Sequence, residues 1–457
     1  MDLSVIILAA GQGKRMRSRL PKVLQPLAGR PLLQHVVDTA RALEPASICV
    51  VYGHGGEEVR AAFTEPDLTW ALQAEQMGTG HAVQQGLPGL NADHLALILC
   101  GDTPLLRAST LTALLDAGGP DRLALLTADM DDPTGYGRII RDARGHVAEI
   151  VEERDASAEQ RSVREANTGV MAAPVGLLNG WLSKLKADNS QGEYYLTDVI
   201  AMAVADGHAV AAVRAPVASE TLGINDRGQL AEAEAVCRAR AAAALLEQGV
   251  TLADPARIDV RGELACGQDV FIDVNVVIEG SVTLGDGVHI GPNNVIRDAV
   301  IGARTNIHPN CVIEDAQMGE SCEIGPYARV RPGVELAERA KLGNFVELKK
   351  SIVGPGSKVN HLTYVGDTTI GANVNVGAGT ITCNYDGANK HRTIIGDGAF
   401  IGSGVELVAP VEVGAGATIG AGSTITKPAP DDKLTLERAK QVTLDGWQRP
   451  VKGQKKS

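Results

Sequence analysis

The second half of the chain carries aliphatic residues at a fixed interval of six. Ile395, Ile401, Leu407, Val413, Ile419 and Ile425 form one unbroken column, and Gly396, Gly402, Gly414 and Gly420 follow four of its members. An α-helix spaces apolar residues three and four apart, and a lone strand two apart. A spacing of six fits instead a solenoid of very short strands, each turning one aliphatic inward before a glycine-assisted corner. Further columns run through Ile272, Ile278, Leu284, Ile290 and Ile296, through Ile324, Val330, Leu336, Leu342 and Leu348, and through Val353, Val359 and Val365. The step slips to five between Ile296 and Ile301 and between Ile313 and Met318. A longer break between Thr382 and Ile395 predicts that residues 383–392 loop out. Three hexads close one triangular coil, so about nine or ten coils are expected over residues 251–426.

The first half lacks this rhythm. Short apolar runs predict strands at Val5–Leu8, Ile48–Tyr52, Leu95–Cys100 and Leu123–Thr127, and residues 31–43 predict a helix burying Leu32, Leu33, Val36, Val37 and Ala40. Strands alternating with helices imply an α/β domain, a mostly parallel sheet between helical layers, with ligands beyond the carboxyl ends of the strands. Residues 227–248 are alanine-rich, free of proline and followed by Gly249. They predict a helix of roughly 20 residues, about 30 Å long, read as a rigid spacer. The expected division is therefore residues 1–226, a helical linker at 227–250, and residues 251–457.

Composition narrows the function. Glycine is abundant, 52 of 457 residues, and aromatics are only 3%, as a narrow aliphatic prism with tight corners requires. The net charge of −12 argues against a broad nucleic-acid surface, so an anionic substrate must be held by local cations. Seven scattered cysteines, none in CxxC spacing, point to free thiols in a reducing compartment and away from a zinc site. The start has no basic region ahead of its short apolar run, and no stretch reaches ~18 apolar residues. The expectation is a cytoplasmic protein without a membrane span.

Candidate chemistry in the first half begins after the first strand. In Leu8-Ala9-Ala10-Gly11-Gln12-Gly13-Lys14-Arg15-Met16 the glycines let the backbone approach a phosphate chain and Lys14 and Arg15 supply positive charge, although read alone the loop fits a plain strand-to-helix turn equally well. Pro21-Lys22-Val23-Leu24 follows; read alone, Lys22 fits a solvated surface charge equally well. Asp102, just past the strand ending at Cys100, could equally cap a loop. In combination, Leu-x-x-Gly-x-Gly-x-Arg-Met with Pro-Lys-x-Leu resembles the sugar-phosphate nucleotidylyltransferases. That resemblance implies that Leu8, Ala9, Ala10, Gly11 and Lys22 hold a nucleoside triphosphate, that Arg15 and Lys22 act on its phosphates, and that Gln73, Gly78 and Thr79 read the base. It further implies Gly137, Glu152 and Asn167 at the sugar, and Asp102 and Asn225 as the protein ligands of Mg²⁺. Two such ligands leave most of the coordination to phosphate and water, which suits that ion.

The solenoid half resembles the hexapeptide-repeat left-handed parallel β-helices, a family of mostly trimeric proteins. Polar departures from the repeat cluster at Arg329-Val330-Arg331, Asn344 to Lys350, His361 to Tyr364 and Gly377 to Tyr385. With both motif sets in order from about residue 3 to residue 452, the whole chain resembles the bifunctional N-acetylglucosamine-1-phosphate uridylyltransferases/glucosamine-1-phosphate N-acetyltransferases. The resemblance implies His361 as general base, with Arg331, Lys349, Tyr364 and Asn375 at the amino-sugar phosphate. Ala378, Asn384, Tyr385, Ser403, Ala421 and Arg438 are implied at acetyl-CoA, although Leu436-Glu437-Arg438-Ala439-Lys440 departs from the expected Ser-Arg-x-Pro form. The implied substrates are glucosamine 1-phosphate, N-acetylglucosamine 1-phosphate, acetyl-CoA and UTP. The implied product, UDP-N-acetylglucosamine, feeds peptidoglycan and lipopolysaccharide synthesis, and the implied assembly is a homotrimer. A single-activity nucleotidylyltransferase with a scaffold β-helix remains the alternative, because a fold does not fix a function. Residues 449–457 read as a basic tail.

Overall fold

The computed structural model describes every residue except Gln12, His54, Gly55, Val451 and residues 453–457, so most of the expected basic tail lies outside the described residues. The chain forms two compact units, Met1–Arg240 and Ala241–Ser457.

The first unit is built on a sheet of seven principal strands: β1 (Leu3–Ala9), β2 (Ser47–Gly53), β3 (Leu68–Gln73), β4 (Leu95–Cys100), β5 (Arg122–Asp129), β6 (Glu165–Pro174) and β7 (Ala209–Arg214). Their order across the sheet is β7-β5-β6-β4-β1-β2-β3. β6 runs antiparallel to both neighbours, and the other pairs are parallel. Alternation along β1 feeds two cores. Val5 and Ile7 pack with Leu33, Val36 and Val37 of the helix Leu32–Arg41, whereas Ile6 packs with Val83, Leu178 and Ile200 from helices on the other side. The four strands expected from sequence are present. β3, β6, β7 and the hairpin Arg138–Arg141/Val147–Val151 are additions to that expectation.

The second unit is a single parallel stack. Ile278 pairs with Ile296 across three full hexads, and Ile296 pairs with Ile313 across a coil that contains a slip. Three hexads make one coil, and each slip of five shortens its coil by a single position. Ten successive pairings carry one inward column from Leu252 to Thr435. The step from Val376 to Ile401 is longer than any other in the column, because the segment after Cys383 is inserted there as a loop. The long parallel sheet is consistent with the left-handed β-helix that the family resemblance implies. The corners are left-handed in backbone conformation: Asn275, Asn293, Asn310, Tyr327, Phe345 and Leu362 occupy one edge, all with positive φ. Asparagine tolerates that region; tyrosine, phenylalanine and leucine do so at a cost.

The helix Arg227–Glu247 matches its expected span but is no free spacer. Ala233 is buried against Leu27, Leu32 and Leu105 of the first unit, whereas Ala242 and Leu245 close the end of the β-helix core. Small alanine side chains let the helix backbone approach each core closely, so the unit boundary falls within the helix.

The inward column carries the stability of the stack. Ile313 is fully buried, so Ile313→Ala should destabilise the protein by about 2–5 kcal/mol, read as a lower denaturant midpoint at unchanged slope.

Candidate active sites

In the first unit the carboxyl ends of adjacent strands create the cleft. Leu8 of β1 and Cys100 of β4 are paired, and Gly101 N–H donates to the Leu8 carbonyl at 2.9 Å. The glycine loop and Asp102 therefore emerge side by side. A cleft of about 280 Å³ is lined by Leu8, Ala9, Ala10, Gly11, Lys22, Gln73, Gly78, Thr79 and Asp102, all expected from sequence, together with Gln76 and Glu193, which were not. Gly78 lies at φ 104°, and a Cβ there would stand 2.6 Å from the Tyr194 carbonyl oxygen. The loop can turn against the segment around Tyr194 only because this residue is glycine.

A second cavity of about 210 Å³ shares Cys100 and Asp102 with the first and adds Arg15, Gly135, Tyr136, Thr168, Gly223 and Asn225. Arg15 thus lines the second cavity and not the first. Ile224 N–H donates to the Asp102 carbonyl at 2.9 Å, which brings Asn225 beside Asp102. The Lys22 ammonium donates to Asp102 and, at 3.0 Å, to Asn225 Oδ1. Gly137, Glu152 and Asn167 form one cluster: a Cβ on Gly137 would lie 3.5 Å from a Glu152 carboxylate oxygen and 3.6 Å from Asn167. Behind it, buried Arg138 is paired with Glu153 at 2.6 Å and braces both segments. Burial raises the Glu152 carboxyl above its ordinary pKa, partly offset by a hydrogen bond from Thr197.

Two oxygen donors converging on one cation are a fitting set for a hard divalent ion. Among the described residues no cluster of three or more His, Cys, Asp or Glu side chains could hold a metal. Further ligands would have to come from substrate and water.

In the second unit, coil stacking turns sequence spacing into proximity. His361 follows Asn344 by one coil, and Ala378, Ser403, Ala421 and Arg438 continue the same edge upward. A groove of about 500 Å³ runs beside this edge, lined by His361, Asn375, Gly377, Ala378, Phe400, Ser403 and Ala421. Arg438 ends the column, donating to the Ala421 carbonyl at 3.3 Å. Asn344 Oδ1 lies 2.8 Å from His361 Nδ1. With the amide oxygen accepting from Nδ1–H, the Nε2 lone pair has no hydrogen-bond partner among the described residues. Sequence reading placed Asn344 in a polar segment but gave it no role; the stacking gives it one.

Across the same face lies a ladder of charges. Arg261, Glu279, Arg297 and Glu314 alternate from coil to coil, with Arg261–Glu279 and Arg297–Glu314 contacts of 3.3 Å. The next two residues in this column are Arg331 and Lys349, and alternation fails. Arg331 is partly neutralised by Glu347 at 2.8 Å, and Lys349 makes no ion pair among the described residues. The break leaves an excess positive charge suited to an anion. Tyr364 stands on this face, where glycine at 366 makes room: a Cβ there would sit 2.5 Å from the Tyr364 hydroxyl and 2.6 Å from Asn384 Nδ2.

Asn384 and Tyr385 are not among the residues that line this groove. Asn384 is buried and donates to Asp367, whereas Tyr385 is exposed with the Lys390 ammonium 4.4 Å from its ring centre. The insertion folds on itself, since Asp386 accepts from His391 and from two backbone N–H groups, which hold its carboxyl far below the usual range.

A doubly functional transferase is the class that this architecture defines: a nucleotidyltransferase sheet followed by a hexapeptide-repeat β-helix. The MobA-like NTP transferase domain matches residues 5–170, and the bacterial transferase hexapeptide (six repeats) matches residues 266–298 and 392–427. The "Bifunctional protein GlmU" of Azoarcus sp. (strain BH72) is 61% identical over 450 residues, covering 98% of this chain and 100% of its own. Those of Aromatoleum aromaticum and Herminiimonas arsenicoxydans are 59% and 57% identical, each over 98% of this chain and 99% of theirs. The chain belongs to the GlmU family of bifunctional proteins.

Cys100 lines both cavities of the first unit, yet burial pushes its thiol up to about 12. At about pH 8.5, where an ordinary thiol is half ionised, Cys100 should stay unlabelled by iodoacetamide in the native protein and react after denaturation, as read by peptide mass mapping.

Proposed function

We propose that the β-helix unit acetylates glucosamine 1-phosphate with acetyl-CoA, and that the first unit then transfers UMP from UTP to the resulting N-acetylglucosamine 1-phosphate. The observation that carries this reading is His361, its Nε2 lone pair free, at the foot of a groove and across one face from the unbalanced pair Arg331 and Lys349. An amino sugar whose phosphate rests on those cations presents its amine towards His361. The amine nitrogen attacks the thioester carbonyl, His361 Nε2 takes the proton, the C–S bond breaks, and the proton passes to the departing thiolate. Ala378, Ser403 and Ala421 leave the groove open for the extended arm of the cofactor, with Arg438 at its far end. Tyr364 and Asn375 flank the sugar, and Asn384 and Tyr385 belong to the segment shared by sugar and acetyl-CoA.

In the first unit, Gly11 and its neighbours cradle the triphosphate, and Gln73, Gly78 and Thr79 read the pyrimidine. Gly137, Glu152 and Asn167 bind the acetylated sugar. Its phosphate oxygen attacks the α-phosphorus of UTP in line, and the bond to the β-phosphate oxygen breaks to release pyrophosphate. Asp102 and Asn225 would hold Mg²⁺, which supplies charge neutralisation on the phosphates. Arg15 and Lys22 add fixed positive charge, and the neutral Cys100 takes no covalent part. The product would supply peptidoglycan and lipopolysaccharide synthesis in the cytoplasm. Among the described residues no helix is long and apolar enough to cross a membrane.

A trimer fits one further feature. Tyr327, Phe345 and Leu362 form an exposed apolar edge next to His361, the two rings stacked 5.2 Å apart, all three in the costly left-handed conformation. Exposed apolar surface held at backbone cost suggests an interface.

The test is a crossed pair of variants. His361→Ala should lower acetyl transfer by about 10²–10⁴-fold and leave UTP-dependent pyrophosphate release intact. Asp102→Ala should do the reverse. Loss of both activities in either variant, or retained acetyl transfer in His361→Ala, refutes the assignment of one reaction to each unit. For assembly, Leu362→Asp should reduce the mass found by light scattering from trimer to monomer; an unchanged mass excludes this edge as the interface.

A further inference from the structure

One cation already sits between the two oxygen ligands expected to hold a metal ion. The Lys22 ammonium is in hydrogen-bond contact with both Asp102 and Asn225, and the Lys22 side chain is only 9% exposed. A surface lysine would show neither the burial nor the two partners. We propose that Lys22 is an exchangeable internal cation: without metal its ammonium occupies the place between Asp102 and Asn225, and it yields that place when metal and nucleotide arrive together. This rests on the reading of Asp102 and Asn225 as magnesium ligands.

The surroundings allow such an exchange with little rearrangement. The backbone of Lys22 is fixed in a short turn, with Leu24 N–H bonded to the Pro21 carbonyl at 3.0 Å and Gln25 N–H to the Lys22 carbonyl at 3.1 Å. Only the flexible four-carbon stem must move. The glycine loop lies directly over that stem: a Cβ on Gly13 would stand 2.6 Å from Lys22 Cβ, and one on Gly11 would stand 3.9 Å from Nζ. The ammonium between Asp102 and Asn225 is therefore already beside the loop expected to hold the triphosphate. Phosphate oxygens there offer it new anionic partners as it leaves Asp102. Lys22 thus neutralises Asp102 until metal arrives and makes metal affinity depend on nucleotide. A pair that served structure alone would do neither.

The test measures Mn²⁺ binding to the full-length protein without nucleotide, by electron paramagnetic resonance. Removing a competing charge-assisted partner should tighten Mn²⁺ binding by about tenfold in Lys22→Met. Arg15→Met, which removes a cation from the adjoining cavity that Asp102 also lines but makes no ion pair with Asp102 among the described residues, separates competition from the general field and should change binding little. In metal-free buffer, Lys22→Met should unfold at a lower temperature than wild type, and Mn²⁺ should raise its midpoint by more than it raises that of wild type. If Lys22→Met fails to fold, Lys22→Gln, a polar neutral replacement, should tighten Mn²⁺ binding in the same direction. Equal tightening by Arg15→Met, or unchanged affinity in the Lys22 variants, overturns the exchange while leaving the metal ligands standing. Mn²⁺ binding insensitive to Asp102→Ala overturns the exchange and the ligand assignment together.

Discussion

Main-chain hydrogen bonds between successive coils are the constraint on which the second unit depends. Each coil is bonded to the next, so a residue lies directly above its counterpart in the coil before. The inward aliphatics hold this register because every shift would move them out of the core. Position in the sequence then becomes position in space. Asn344 sits under His361 and Arg331 under Lys349 for no other reason. The first unit obeys a looser rule, in which strand ends converge and loops of different lengths supply the chemistry. There Asp102 and Asn225 meet through one backbone hydrogen bond rather than through a repeat.

Periodicity also decided what could be read in the sequence. The columns, the slips of five after Ile296 and Ile313 and the interruption after Thr382 were legible because each inward position repeats the same demand. The helix Leu32–Arg41 was legible from its three-and-four spacing. β6 was not: Glu165-Ala166-Asn167-Thr168-Gly169 carries no strand-like alternation, and its antiparallel insertion between parallel neighbours depends on pairing with distant segments. β7 is a half-buried edge strand rich in alanine, with a correspondingly faint signal. Ala233, Ala242 and Leu245 show why a uniform alanine-rich helix looked like a spacer, since its two buried stretches face different cores.

Within the candidate sites, residues that break a pattern were easier to find than residues that serve another residue. Arg331, Lys349 and His361 interrupt the hexads and stand out. Asn344 gains meaning only from His361, one coil away. Tyr385 stood in the same stretch as Ala378, yet only Ala378 lines the groove. Lys22 was visible as a cation, but its position between Asp102 and Asn225 joins segments far apart in the chain, which no local motif encodes.

The charge ladder has a consequence for how such a chain finds its own fold. Apolar columns in a solenoid are nearly interchangeable, so a coil that skipped one neighbour and stacked on the next would still bury its aliphatics. Along Arg261, Glu279, Arg297 and Glu314 that mistake would set arginine over arginine and glutamate over glutamate. Like charges directly opposed across strands are destabilising. The ladder therefore proofreads the winding: it adds little to the correct stack at the surface, yet it penalises the skipped coil that the hydrophobic columns alone would accept.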